Sequence, residues 1–181
     1  MIITKEWLKI NNACSEGMEY CEQEGLIGLP ADQFVEKLVE GNKLSWANWL
    51  IARALQKFDK VRYAVYAAEK VLPIFEKEYP GDDRPKNAIA AAKAYIENPC
   101  DDAAHAAYAA HTAAYAAHAA TDAAHAAYAA AYAAHAAAYA AHAAYVVYAA
   151  DNASHAADDG IYEKILKYGI NLLKNENRKG D

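Results

Sequence analysis

The sequence predicts an all-α fold, a multi-helix bundle in which one alanine-rich helical layer packs closely. Three observations predict it. From Asp101 to Gly160 alanine fills most positions, and a His, Tyr, Thr or Asp recurs at nearly every turn. Alanine has the best intrinsic helix propensity, and over a long window that preference sums strongly. The larger side chains recur at intervals of three and four rather than two, which is the helical period. No Lys, Arg or Pro occurs between Asp101 and Asp159, and the next glycine is Gly160, so the usual interrupters are missing. No alternating apolar and polar run signals a strand.

Along the chain, Thr4 to Ile10 reads as a short helix carrying Trp7 and Leu8, loosened by Asn11 and Asn12. Ser15 is placed to cap a second helix that ends at Gly25. Leu26 to Pro30 is a turn. Ala31 to Glu40 is a helix with Phe34, Val35, Leu38 and Val39 on one side and Gly41 just past its end. Ser45 is placed to cap the next helix, whose apolar face is Trp46, Trp49, Leu50 and Leu55. Asp59 to Glu78 is helical with Val61, Val65, Leu72 and Phe75 inward, and Pro73 predicts a kink or a restart. Tyr79 to Pro85 forms a loop, and Pro85 suits the first position of a helix to Glu97, stopped by Asn98 and Pro99. Ile161 to Leu173 is a final amphipathic helix (Ile161, Ile165, Tyr168, Leu172), followed by a frayed tail.

The alanine stretch has its own register. His111, His118, His125, Tyr132, Tyr139 and Val146 follow one another at steps of seven, and Tyr128, His135 and His142 run beside them. A single helix over 102–150 would be roughly 73 Å long at about 1.5 Å per residue. A domain of this length is only about 40 Å across. A break is therefore expected, with Thr121 as a cap and Asp122 in the first turn after it, and Asp151, Asn152 and Ser154 as a second cap cluster. The tyrosines are expected to act as packing knobs and the alanines as the holes that receive them. Residues 1–100 form an N-terminal helical part and 101–181 the alanine-rich and C-terminal helices, packed together as one domain.

The charge is uneven. Of a net −6, residues 101–160 contribute six acidic and no basic groups, while 1–100 carry 13 basic and 15 acidic. Such a stretch repels a phosphate backbone, so nucleic acid is not an expected partner. It is broken by His, Asp or Tyr too often to be a membrane span. Residues Met1 to Asn12 hold no apolar run, so no signal peptide is expected. Three sparse cysteines, Cys14, Cys21 and Cys100, suit free thiols in a reducing cytoplasm.

All seven histidines fall in the alanine stretch at spacings of 6, 7, 7, 10, 7 and 13, so no helix segment chelates an ion with two of them. No metal and no cofactor is expected. Asp101/His105, Asp122/His125 and His155/Asp158 are spaced so that each carboxylate favours a charged imidazole, which makes a pH-responsive structural module one reading. The chain lacks a Gly-rich phosphate loop, a G-x-S-x-G elbow and a carboxylate pair in an apolar context, so no catalytic residue is expected. Tyr and His rows can also line a groove for a planar, nucleotide-like ligand. The candidate ligand- or partner-binding residues are His111, His118, His125, Tyr132 and Tyr139 in one row and Tyr128, His135 and His142 in the other.

Several segments carry a resemblance: ITKEWLKINNACSEGMEY at the start, SWANWL, RYAVYAAEKVLPIFE and DDRPKNAIAAAKAYIENP. With the alanine-rich stretch after them, they resemble the immunity proteins of prophages and polymorphic-toxin loci. The most specific motifs are Asn12 to Gly17 and Asp83-Arg84-Pro85-Lys86, and Arg84 joins the candidate binding residues on that ground. The resemblance implies a small, cytoplasmic, all-helical protein that works by binding a protein partner such as a toxin, not by catalysis. Relatives carry Arg among the aromatics of this half, where this chain has His. Small-ligand sequestration and a metal- or pH-responsive module stay open as alternatives, as does a homo-oligomer.

Overall fold

The computed structural model describes residues 1–101, 104, 107, 128–129, 131–135, 139, 143–156 and 159–179. Its helices are α1 (Lys5–Ile10), α2 (Ser15–Gln23), α3 (Ala31–Glu40), α4 (Leu44–Ala54), α5 (Lys57–Glu78), α6 (Arg84–Glu97), α7 (Ala143–Ala156) and α8 (Asp159–Lys179). A helical run at 131–135 precedes a turn at Tyr139. Among the described residues there is no strand, only one isolated bridge between Ile2 and Pro30. The fold is all-α, as the alanine period predicts.

The chain divides into two compact units. One is Met1–Leu55 with Gly169–Asp181, the other Gln56–Tyr168. In the first, the extended start is held by Ile3 N–H to Leu29 O at 3.0 Å and Gly28 N–H to Ile3 O at 2.9 Å. Gly28 can turn the chain there because its φ is 95°, a conformation costly to any side chain. Thr4 Oγ1 accepts from Trp7 N–H at 3.1 Å and caps α1. α3 packs on α4, and Ile3, Leu8, Phe34, Val35, Leu38 and Ile51 fill the core between the helices of this unit.

In the second unit α5 packs against both α6 and α7. α7 buries Val146, Ala149, Ala150 and Ala153, one stripe at helical spacing. α5 buries Val61, Tyr63, Ala64, Ala67, Ala68 and Val71. Small side chains on both helices let the backbones approach closely.

Several expectations are corrected. Cys14, not Ser15, caps α2: its Sγ accepts from Gly17 N–H at 3.3 Å, and Ser15 is already helical. α4 begins at Leu44 after Lys43 without a side-chain cap, which leaves Ser45 inside its first turn. Gly41 closes α3 at an ordinary φ of −79°, and Asn42 takes the left-handed conformation with φ 54°. α5 runs through Pro73 without a restart, because Pro73 lies on the exposed side and its missing N–H leaves only one carbonyl to solvent. Val71 rather than Leu72 is fully buried. Trp46 and Trp49 are only half-buried, and Ala47, Leu50 and Ile51 form the inner face of α4 instead.

The Asp151–Ser154 cluster lies inside α7, where Asn152 Nδ2 donates back to Tyr148 O at 2.8 Å. Burial of the alanine stripe outweighs the local capping preference. The tail is helical to Lys179, because Lys174 Nζ pairs with Glu36 at 2.6 Å and Asn177 Nδ2 donates to Asp32 at 2.9 Å. The tyrosines of the stretch, expected as packing knobs, are not fully buried among the described residues. The buried positions are alanines and Val146, while Tyr128, Tyr132 and Tyr145 are half-buried and Tyr139 and Tyr148 exposed. The expected break at Thr121 and Asp122 lies outside the described residues.

Candidate functional site

Two surfaces of the second unit gather chemistry. The first is a ring cluster. The run at 131–135 supplies Tyr132 and His135, the turn supplies Tyr139, and α7 supplies Tyr145 and Tyr148. His135 stacks on Tyr145 with centroids 3.8 Å apart and meets Tyr139 edge-on at 4.6 Å. Tyr132 lies 5.3 Å from Tyr148 and 6.4 Å from Tyr145. These separations are those of attractive aromatic pairs. Tyr145, Tyr148, Asn152 and His155 follow at steps of three, four and three, so they share the side of α7 away from the buried stripe.

Of the expected binding residues, Tyr132, His135 and Tyr139 are therefore brought together. Tyr128 is helical and half-buried. His111, His118, His125 and His142 lie outside the described residues. Tyr139 and Val146, expected in one row, part company: Tyr139 is exposed at a turn and Val146 is fully buried. Arg84 stands apart at the start of α6, gripped by Asp82, with Nε to Oδ1 at 2.8 Å and Nη2 to Oδ2 at 2.6 Å. Asp82 Oδ1 also accepts from Arg84 N–H at 3.1 Å. The hydrogen bond from Arg84 holds the Asp82 carboxyl below its ordinary range. Arg84 thus does local work at a helix start.

The second surface is an open groove of about 380 Å³ between α5, α6 and α8, lined by Arg62, Val65, Tyr66, Glu69, Lys93, Ile96, Glu97 and Tyr168. Its charges are mostly paired: Arg62 with Asp59 at 2.5 Å and Lys93 with Glu69. Tyr66 and Tyr168 stack at 4.0 Å, and Lys70 Nζ lies 4.6 Å over the Tyr66 ring. Burial raises the Tyr168 phenol pKa, while the Arg62 charge pulls it the other way. The lining offers hydrogen-bonding groups from Arg62, Glu69, Lys93 and Glu97 and the ring faces of Tyr66 and Tyr168. No local sequence pattern marks this groove. Arg62, Tyr66 and Glu69 do share a helix face, but Lys93 and Tyr168 join them only through tertiary packing.

Among the described residues no group of three or more His, Cys, Asp or Glu is placed to hold a metal ion. None of the described helices is long and apolar enough to cross a membrane. The described residues form an all-α protein with these two surfaces. The chain belongs to the Imm-5 like putative immunity protein family, whose model matches residues 52–176. That span covers both surfaces and leaves α1–α3 and most of α4 outside. Comparison with curated proteins and with solved structures gives no match.

Proposed function

We propose that this protein is an immunity protein that acts by binding a protein toxin in the cytoplasm, with no catalysis of its own. The family match over 52–176 carries this reading. It is supported by two recognition surfaces within the matched span, a ring cluster and a groove of paired charges. Free Cys14, Cys21 and Cys100 suit a reducing compartment. The planar-ligand alternative has less support, since the faces of His135 and Tyr145 lie against each other.

The test is co-expression with the toxin encoded beside its gene. Growth should be restored, and the two chains should elute together in size-exclusion chromatography. A toxin that still arrests growth, with no complex on the column, overturns the proposal.

A further inference from the structure

We infer that the outward side of α7, with Tyr139 beside it, is the docking surface for an arginine- or lysine-bearing segment of the partner. The inference rests on the immunity reading for the partner's nature, and on the surface itself for its chemistry.

Tyr148 is 48 % exposed and Tyr139 52 % exposed, the largest exposures of any described tyrosine. The rings behind them are fixed. Tyr132 supports Tyr148, and His135 and Tyr145 support Tyr139, at centroid distances of 4.6 to 5.9 Å. A pre-ordered ring loses little entropy when it is covered, which is why tyrosines dominate binding energy at interfaces.

Charge selects the occupant. Residues 101–160 carry six aspartates and no Lys or Arg. A second copy of this chain would bring like charge to like, and an acidic segment would be repelled, whereas a cationic segment is attracted and steered. The chain itself shows the geometry such a segment would adopt. Lys43 sits over Tyr20 and Trp46, Arg53 lies 4.3 Å over Trp49, and Lys70 covers Tyr66. Arg53 and Lys70 reach rings four residues earlier on their own helices, and Lys43, just before α4, reaches Tyr20 on α2. The alanine-rich stretch itself has no Lys or Arg to lay over Tyr148.

The test titrates the full-length protein with an oligo-arginine peptide and, separately, an oligo-glutamate peptide, by calorimetry at about 0.15 M salt. The arginine peptide should bind and the glutamate peptide should not. Tyr148→Ala and Tyr139→Ala should each weaken binding by about three- to fivefold, the worth of one exposed cation–π contact. Tyr148→Phe, which keeps the ring, should stay near the parent. Arginine binding untouched by both alanine variants would mean the net charge alone attracts the peptide, and would overturn the proposal, as would no binding. If an alanine variant loses helical signal, ring resonances of Tyr139 and Tyr148 in the unaltered protein decide: they must move as the arginine peptide is added. The toxin assay separates the two readings. Neutralisation that survives both alanine variants keeps the immunity reading and removes this surface. Failure to neutralise, with ring-dependent arginine binding intact, does the reverse.

Discussion

Tyr66 on α5 and Tyr168 on α8 lie face to face, with centroids 4.0 Å apart and planes 14° apart. They join residues far apart in the chain and form one wall of the charged groove. Stacked pairs of this kind are worth about 0.5–1.5 kcal/mol beyond the area they bury. A double-mutant cycle with Tyr66→Ala and Tyr168→Ala, read by urea unfolding, should therefore give a coupling of that size. Strictly additive losses would mean the stacking contributes nothing of its own.

Gly41 presents a different dependence. Its φ of −79° suits any residue, yet a Cβ there would fall on the Tyr20 hydroxyl. Tyr20 in turn packs edge-on against Trp46 at 5.5 Å and carries Lys43 at 5.0 Å. Gly41→Ala should displace the phenol and cost about 1 kcal/mol, the low end for overpacking, because the tip of a side chain yields more easily than backbone. Tyr20→Phe in the same background should recover most of the loss. Equal melting temperatures for Gly41→Ala and the parent would refute the clash.

The cysteines should separate by accessibility. Cys14 and Cys100 are exposed and Cys21 is buried. Burial, with a smaller push from Cys14, raises the Cys21 thiol from 9.0 to about 11. A thiol reagent at pH 8 should modify Cys14 and Cys100 quickly and Cys21 only on unfolding. Because the folded value lies above the unfolded one, the stabilisation is complete below pH 9 and is lost as pH rises toward 11. Stability of the parent should fall over that window more steeply than that of Cys21→Ala. Parallel pH curves would contradict it.

Pro73 interrupts the hydrogen bonding of α5 near its exposed end without stopping the helix. Pro73→Ala restores an N–H for the Glu69 carbonyl and should raise stability by about 1–2 kcal/mol. Part of the helical gain is offset by greater freedom of the unfolded chain. An unchanged or lower urea midpoint would show that the ring makes contacts worth keeping.

Helix identity was legible from period alone, and the bounds of α3 at Ala31–Glu40 follow from its apolar spacing and Gly41. What pattern could not settle was which side of the alanine-rich helices faces inward. Propensity makes Ala helical but says nothing about whether methyl or phenol is buried, and here close backbone approach favours methyl. Capping signals misled in the same way. Asn152 resembles a helix start, yet Val146 and Ala153 on the buried side carry α7 past it. Of the candidate site, Tyr132, His135 and Tyr139 could be named from spacing, as could the shared side of Tyr145 and Tyr148. The pairing of Glu69 with Lys93, and of either with Tyr168, depends on how α5, α6 and α8 meet, which no local pattern encodes.

The fully covered alanines of α5 and α7 divide the repeat into two populations that look alike on paper. At Ala149, Ala150 or Ala153 any larger side chain wedges the helices apart, and glycine removes the one methyl that fills the gap. On the outward side a ring can be exchanged for another residue with little harm to folding. Related genes should accordingly diverge in their rings over a nearly invariant lattice of methyls, and a new recognition preference could evolve without rebuilding the scaffold beneath it.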